Sequence, residues 1–110
     1  KMLELGASYG FDTLDCDGYA GEIAWGPIDA KESIGIWGHL DVVPEGDGWS
    51  YPPYTLTREG DFVIGRGVQD NKGPLVAVLY AMRCLKENGW KPKKRMPERK
   101  KILSGGNAIY

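Results

Sequence analysis

Between residues 74 and 88 apolar side chains recur at three- and four-residue steps: Leu75, Val78, Leu79, Met82 and Leu85. That spacing predicts an amphipathic helix, its apolar stripe widened by Val76, Ala77, Tyr80 and Ala81. Gly73-Pro74 fits the start, because a proline in the first turn loses no helical hydrogen bond, and Gly89 fits the stop. Elsewhere the period shortens. Residues 19–25 alternate as a strand does before Gly26-Pro27 turns it, and Ile34-Gly35-Ile36-Trp37 reads as a buried strand running on to His39. We expect these two strands to pair like a hairpin at a half-open antiparallel edge of a mixed sheet.

The remaining pattern is quieter. Met2, Leu3 and Leu5, followed by Gly6 and Gly10, mark the last turns of a helix ended by glycine, and residues 11–14 continue extended. Residues 56–64 predict a short hairpin turning at Glu59-Gly60-Asp61. Residues 45–54, rich in Gly, Pro and aromatics, read as a loop held by ring packing that walls a cleft. Residues 91–101 read as a solvated connection into a further strand, Lys101-Ile102-Leu103. The predicted fold class is α/β: a mixed β-sheet with packed helices, with four or five strands and one complete helix.

The candidate chemistry sits at two joints of this pattern. His39, the only histidine, stands at a strand end within Gly38-His39-Leu40-Asp41-Val42-Val43-Pro44. In an extended chain residues two apart face the same way, so Asp41 should lie beside His39 and accept from one ring nitrogen. The other nitrogen is then left for a metal. Pro44 would end the ladder. Some thirty positions later Gly65-Arg66-Gly67-Val68-Gln69-Asp70-Asn71-Lys72-Gly73-Pro74 brings an acid to a helix entrance. There the N–H groups can orient Asp70, which could bridge two cations at the roughly 3.5–4 Å separation of two-metal hydrolytic sites. Singly, these residues read as a hydrogen-bonded histidine and a helix-entry carboxylate. Together they read as a metal site, with Lys72 a solvated loop residue and Arg66 an ion-pair partner.

The segments GHLDVVPEGDGW, PPY and GRGVQDNKGP resemble the metal-binding half of the M20 metallopeptidases, and DGYAG at residues 17–21 resembles their bacterial branch of Xaa-His dipeptidases. The resemblance spans about residues 1–94. It implies a partial M20-type, zinc-peptidase-like catalytic domain in which His39 and Asp70 are metal ligands. Asp70 would be shared by two Zn²⁺ ions, with Co²⁺ or Mn²⁺ as alternatives, and Asp41 would be a catalytic residue that orients His39. The implied activity is hydrolysis of short peptides by a dipeptidase; the alternative within the family is an N-acyl amino-acid amidohydrolase.

Enzymes of that family are several times longer, so residues 1–110 are expected to be an incomplete N-terminal portion of a metallopeptidase catalytic domain, with residue 1 already inside a helix. The family's Glu-Glu pair, carrying the general base and a ligand, should follow the strand at 101–103. Here the chain reads Gly105-Gly106-Asn107-Ala108-Ile109-Tyr110, with Ala108 and Ile109 in the place of the glutamates. A zinc peptidase needs three or more protein ligands per ion and a base for the attacking water. The chain by itself is therefore expected to be inactive and to hold Zn²⁺ weakly. A reading of another class is a non-catalytic fragment that self-associates, a second copy forming a homo-oligomer over the exposed sheet edge.

Composition narrows the remaining options. A length of 110 residues, 42% hydrophobic and 26% charged, suits one globular domain, and no apolar run is long enough for a membrane helix. Cys16 and Cys84 lie far apart without CxxC spacing and read as reduced thiols of a cytoplasmic protein. Residues 1–90 hold 14 of the 15 acidic but 7 of the 14 basic side chains, a body whose sign suits divalent cations. The basic stretch after it lacks interleaved aromatics apart from Trp90, so nucleic acid is not an expected partner.

Overall fold

The computed structural model describes residues 1–101. Its elements run α1 (Met2–Ser8), β1 (Asp12–Cys16), β2 (Ala20–Trp25), β3 (Ile36–Gly38), β4 (Thr57–Glu59), β5 (Phe62–Ile64), α2 (Gly73–Glu87) and β6 (Met96–Lys101). The helical stripe read from the sequence is the buried stripe: Leu75, Leu79 and Met82 are the buried residues of α2. Leu79 and Met82 join Phe11 and Ile23 in the core, with Met2, Leu3, Leu5 and Trp25 packed around them. Tyr80, which the pattern assigned to the same packing, is half exposed and instead meets Tyr9 edge-on, their centroids 5.8 Å apart.

Small residues let α1 lie close on the sheet. A methyl group at Gly6 would stand 2.8 Å from Ile23 Cδ1, and one at Gly21 would stand 3.1 Å from Leu3 Cδ2. From α2, Lys86 Nζ donates to the carbonyls of Tyr9 and Gly10, at 2.9 Å to Tyr9, and caps the C-terminal end of α1.

The β1–β2 hairpin follows from Asp17-Gly18, which both take positive φ as a tight I′-type turn needs; Asp15 Oδ1 accepts from Gly18 N at 2.8 Å. The rest of the sheet departs from expectation. Its order is β1-β2-β6-β3: β2 pairs antiparallel with both β1 and β6, and β3 pairs parallel with β6. Thus β3 does not pair with β2, because β6 lies between them. Residues 96–101, expected as a solvated connection, form a central strand; residues 102 and 103 of the strand expected at 101–103, and the stretch at 105–110 compared with the Glu-Glu motif, lie outside the described residues.

The strand expected at 34–39 is three residues long, and it is not buried: Trp37 is 62% exposed and Ile36 39%. Among the described residues it is one of the two outer strands of the sheet. The hairpin β4–β5 forms where predicted, turning at Gly60, and stands as a separate two-stranded sheet.

Candidate functional site

The first candidate loop leaves β3 at Gly38, so His39 and Asp41 lie just outside the strand rather than on one of its faces. They still meet, for a different reason. The chain curls so that His39 Nδ1 reaches the backbone carbonyl of Asp41 at 3.2 Å and its Oδ1 at 3.3 Å. Pro44, six residues past the end of the ladder, does not terminate it.

The second loop enters α2 through a wide turn at Val68–Lys72, begun by Gly67 at φ +81° and closed by Lys72 N donating to Gly67 O at 3.0 Å. Asp70 and Asn71 have non-helical angles inside that turn, and the peptide bond joining them is cis. The Asp70 carboxylate meets the first loop there: Asp70 Oδ1 lies 3.1 Å from His39 Nε2.

The two loops interlock through glycines. A Cβ on Gly38 would stand 2.5 Å from both Asn71 Oδ1 and Leu75 Cδ2, and one on Gly67 would stand 2.5 Å from Val42 Cγ1. Each loop thus leaves a side chain's room for the other, and the approach of His39 to Asp70 depends on both spaces.

The resulting cleft, of about 310 Å³, is lined by His39, Asp41, Trp49, Arg66, Gln69 and Asp70 among others. Side-chain exposures of 42% for His39, 46% for Asp41 and 84% for Asp70 leave all three reachable from solvent. A larger apolar groove of about 560 Å³ lies across Gly65 and Arg66, lined by Tyr54, Leu56, Val63, Val68 and Val76. It has no His, Asp or Glu in its lining; His39, Asp41 and Asp70 all line the smaller cleft.

Electrostatics in the cleft favour a charged imidazole. The Asp41 carbonyl accepting from Nδ1 raises the His39 pKa most, partial burial opposes it, and the Asp70 hydrogen bond with the charges of Asp70 and Asp41 adds to the rise. A cation would meet the same field. With Nδ1 held by Asp41, Nε2 faces Asp70, which is the ring orientation that a metal-binding histidine needs. Two ligands of one tetrahedral ion with bonds near 2.1 Å stand roughly 3.4 Å apart, close to the Nε2–Oδ1 distance. Among the described residues no group of three or more His, Cys, Asp and Glu side chains is placed to hold a metal ion.

Trp49 brings residues 45–54 into the cleft lining, as the sequence suggests, but what holds that wall differs from expectation. Residues 45–54 are held by hydrogen bonds on Glu45 and not by ring-on-ring packing. Its carbonyl accepts from Trp49 Nε1 at 2.7 Å and from Arg66 Nη2, and its carboxylate accepts from Tyr54 Oη at 2.7 Å. The Tyr54 hydrogen bond, with lesser help from Glu45's own N–H and the Arg66 charge, holds that carboxyl below its usual range; the same bond pushes the Tyr54 hydroxyl up. Arg66 is thus no simple ion-pair partner: its guanidinium lies 4.9 Å over the Trp49 ring, and its backbone N donates to Pro53 O at 2.6 Å. No local pattern marks Arg66 for this, because its acceptor is a backbone carbonyl 21 residues away.

A model of Peptidase family M20/M25/M40 matches residues 35–96, which hold both loops. The Beta-Ala-Xaa dipeptidase of Lactobacillus delbrueckii subsp. lactis is 42% identical over 97 residues, 87% of this chain and 20% of that protein. Human carnosine dipeptidase 1 shares the fold with a TM-score of 0.77 over 92% of this chain and 24% of its own, at 24% identity. The di-peptidase Dug1p of Saccharomyces cerevisiae is 26% identical with a TM-score of 0.64, covering 74% of this chain and 18% of its own. The chain spans about a fifth of the length of the curated relatives it matches. Over that part the mixed sheet and its helices are those of an α/β peptidase catalytic domain.

Proposed function

This chain belongs to Peptidase family M20/M25/M40, and from that premise we propose that it forms the N-terminal portion of the catalytic domain of a zinc-dependent dipeptidase acting on short peptides. One observation carries the reading: two loops from separate parts of the chain bring His39 Nε2 and Asp70 Oδ1 to 3.1 Å in a solvent-open cleft. The kinship to dipeptidases supports the substrate class.

The donor set, one imidazole nitrogen and one carboxylate oxygen, suits Zn²⁺ and also fits Co²⁺ or Mn²⁺. In this proposal His39 and Asp70 would hold the metal, and Asp41 would fix the His39 ring through Nδ1 without touching the ion. A bound cation would supply Lewis acidity toward the peptide carbonyl and toward water. The chain's own residues do the rest: Asp41 sets the ring orientation, and the Glu45–Trp49 wall bounds the space for substrate. The free, exposed thiols of Cys16 and Cys84 suit a reducing cytoplasmic compartment.

Two protein donors fall short of the three or more that a peptidase zinc ion requires. We therefore expect weak Zn²⁺ binding and no turnover of dipeptides by the 110-residue chain. Titration with Co²⁺, followed by its visible absorption, tests the ligand assignment. Weak saturable binding that His39→Ala and Asp70→Asn each abolish supports the reading; binding unaffected by both substitutions overturns it. Turnover of a dipeptide panel with added Zn²⁺, lost in His39→Ala, would overturn the expected inactivity.

A further inference from the structure

Resting on that reading, we propose that Arg66 is the positioning residue of the site, clamping the wall loop to the acidic loop and so setting how His39 and Asp70 face one another. Arg66 stands between two glycines at the start of the acidic loop, four residues before Asp70. Its guanidinium reaches back to the first loop, donating to the Glu45 carbonyl and lying 4.9 Å over the Trp49 ring. Trp49 donates to that same carbonyl at 2.7 Å. The planar guanidinium supplies both a stacking face and in-plane N–H donors, a pairing that a lysine ammonium cannot reproduce.

The clamp is tied on both sides. Tyr54 Oη holds the Glu45 carboxylate at 2.7 Å, and Arg66 N donates to Pro53 O at 2.6 Å, so the wall loop is fastened near its start and near its end. Arg66 and Trp49 line the cleft together with His39 and Asp70. Glu45 is six residues from His39, and Arg66 is four from Asp70, so one contact fixes two short tethers. Rotation of either loop would have to break the Arg66–Glu45–Trp49 junction first. With Gly38 and Gly67 providing room without grip, Arg66 supplies the grip.

The test compares the parent chain with Arg66→Ala and Arg66→Lys by hydrogen exchange with mass spectrometry, without metal, and by Co²⁺ titration. Arg66→Ala should speed exchange about tenfold at the hydrogen-bonded amides of residues 66–72 while leaving α1 and the β1–β2 hairpin unchanged. Arg66→Lys should recover less than half of the lost protection. Co²⁺ affinity should fall about tenfold in Arg66→Ala, the usual effect of removing a group that orients a ligand. Unchanged exchange in residues 66–72, uniform acceleration throughout the chain, or full rescue by lysine would each overturn the proposal. Should the parent chain bind no Co²⁺, the metal reading fails, and the exchange pattern still decides the role of Arg66.

Discussion

Gly38 and Asn71 face each other across the two loops with no room for a methyl group between them: a Cβ on Gly38 would stand 2.5 Å from Asn71 Oδ1. The same Cβ would meet Leu75, a buried residue of α2, so the contact joins the strand that ends just before His39 to the helix that follows Asp70.

Gly38→Ala should therefore destabilise the chain by about 1–3 kcal/mol, the usual cost of overpacking a tight junction. Urea unfolding monitored by circular dichroism measures it. The substitution should also widen the His39–Asp70 gap, seen as loss of their proton–proton contacts by NMR. A variant of parental stability would show that the loops are not closely apposed.

The His39 imidazole should titrate above 6.5 in the metal-free chain, since both ring nitrogens face acceptors. The sign follows from linkage. A raised folded pKa means that the stability contributed by this group is fully present below pH 6.5 and is lost as pH rises through the folded value. NMR titration of the ring protons should show Asp70→Asn lowering the midpoint. Asp41→Ala should leave more of the rise in place, because the leading cause is the Asp41 backbone carbonyl, which that substitution keeps. A parental midpoint at or below 6.5 would contradict this arrangement. Metal binding must displace the ring proton, so apparent Co²⁺ affinity should fall as pH is lowered through the same range.

Leu79, with no exposed surface, lies in the core with Phe11, Ile23 and Met82. Leu79→Ala should cost about 2–5 kcal/mol, whereas Leu85→Ala, at a position 40% exposed, should cost far less. Thermal unfolding of the pair of variants checks the contrast, and equal losses would mean that the helix is rotated from the face described.

Lys86 bridges the helices by donating to the Tyr9 and Gly10 carbonyls, with its ammonium 4.9 Å from the centre of the Phe11 ring. Lys86→Met, which keeps the apolar stem, should cost about 0.5–1 kcal/mol and loosen α1 selectively. Hydrogen exchange of residues 2–8 reports it; unchanged protection there would remove the capping role.

Much of this arrangement is legible in the residues because it is local. The steps from Leu75 to Met82 specify which face of α2 is buried, Gly60 at a sharp turn specifies the β4–β5 hairpin, and Gly67 at positive φ marks the entrance to the acidic loop. The pairing of His39 with Asp70 was legible as two spaced motifs, although the reason offered for Asp41 was wrong: a curl of backbone after Gly38, and not strand alternation, puts it beside the ring. What escaped depends on distant partners. Met96-Pro97-Glu98-Arg99-Lys100-Lys101 has no apolar alternation, and it becomes a strand because β2 and β3 offer backbone groups on either side. The bulky run at Ile36-Trp37 suggested burial, yet it borders the described sheet, where apolar character does not guarantee cover.

The position of β6, the last of the described strands in sequence but third in the sheet, has a consequence for assembly on the ribosome. The β1–β2 ribbon emerges early with the β2 flank unpaired, and the strand leading to His39 emerges soon after without a strand beside it. Their backbone groups find the partner strand between them only once residues 96–101 have been released. The strand that leads to His39 is thus paired late, by contacts that span about sixty residues or more, and a nascent chain stalled short of that point would carry both motifs without the strand that ties β2 to β3.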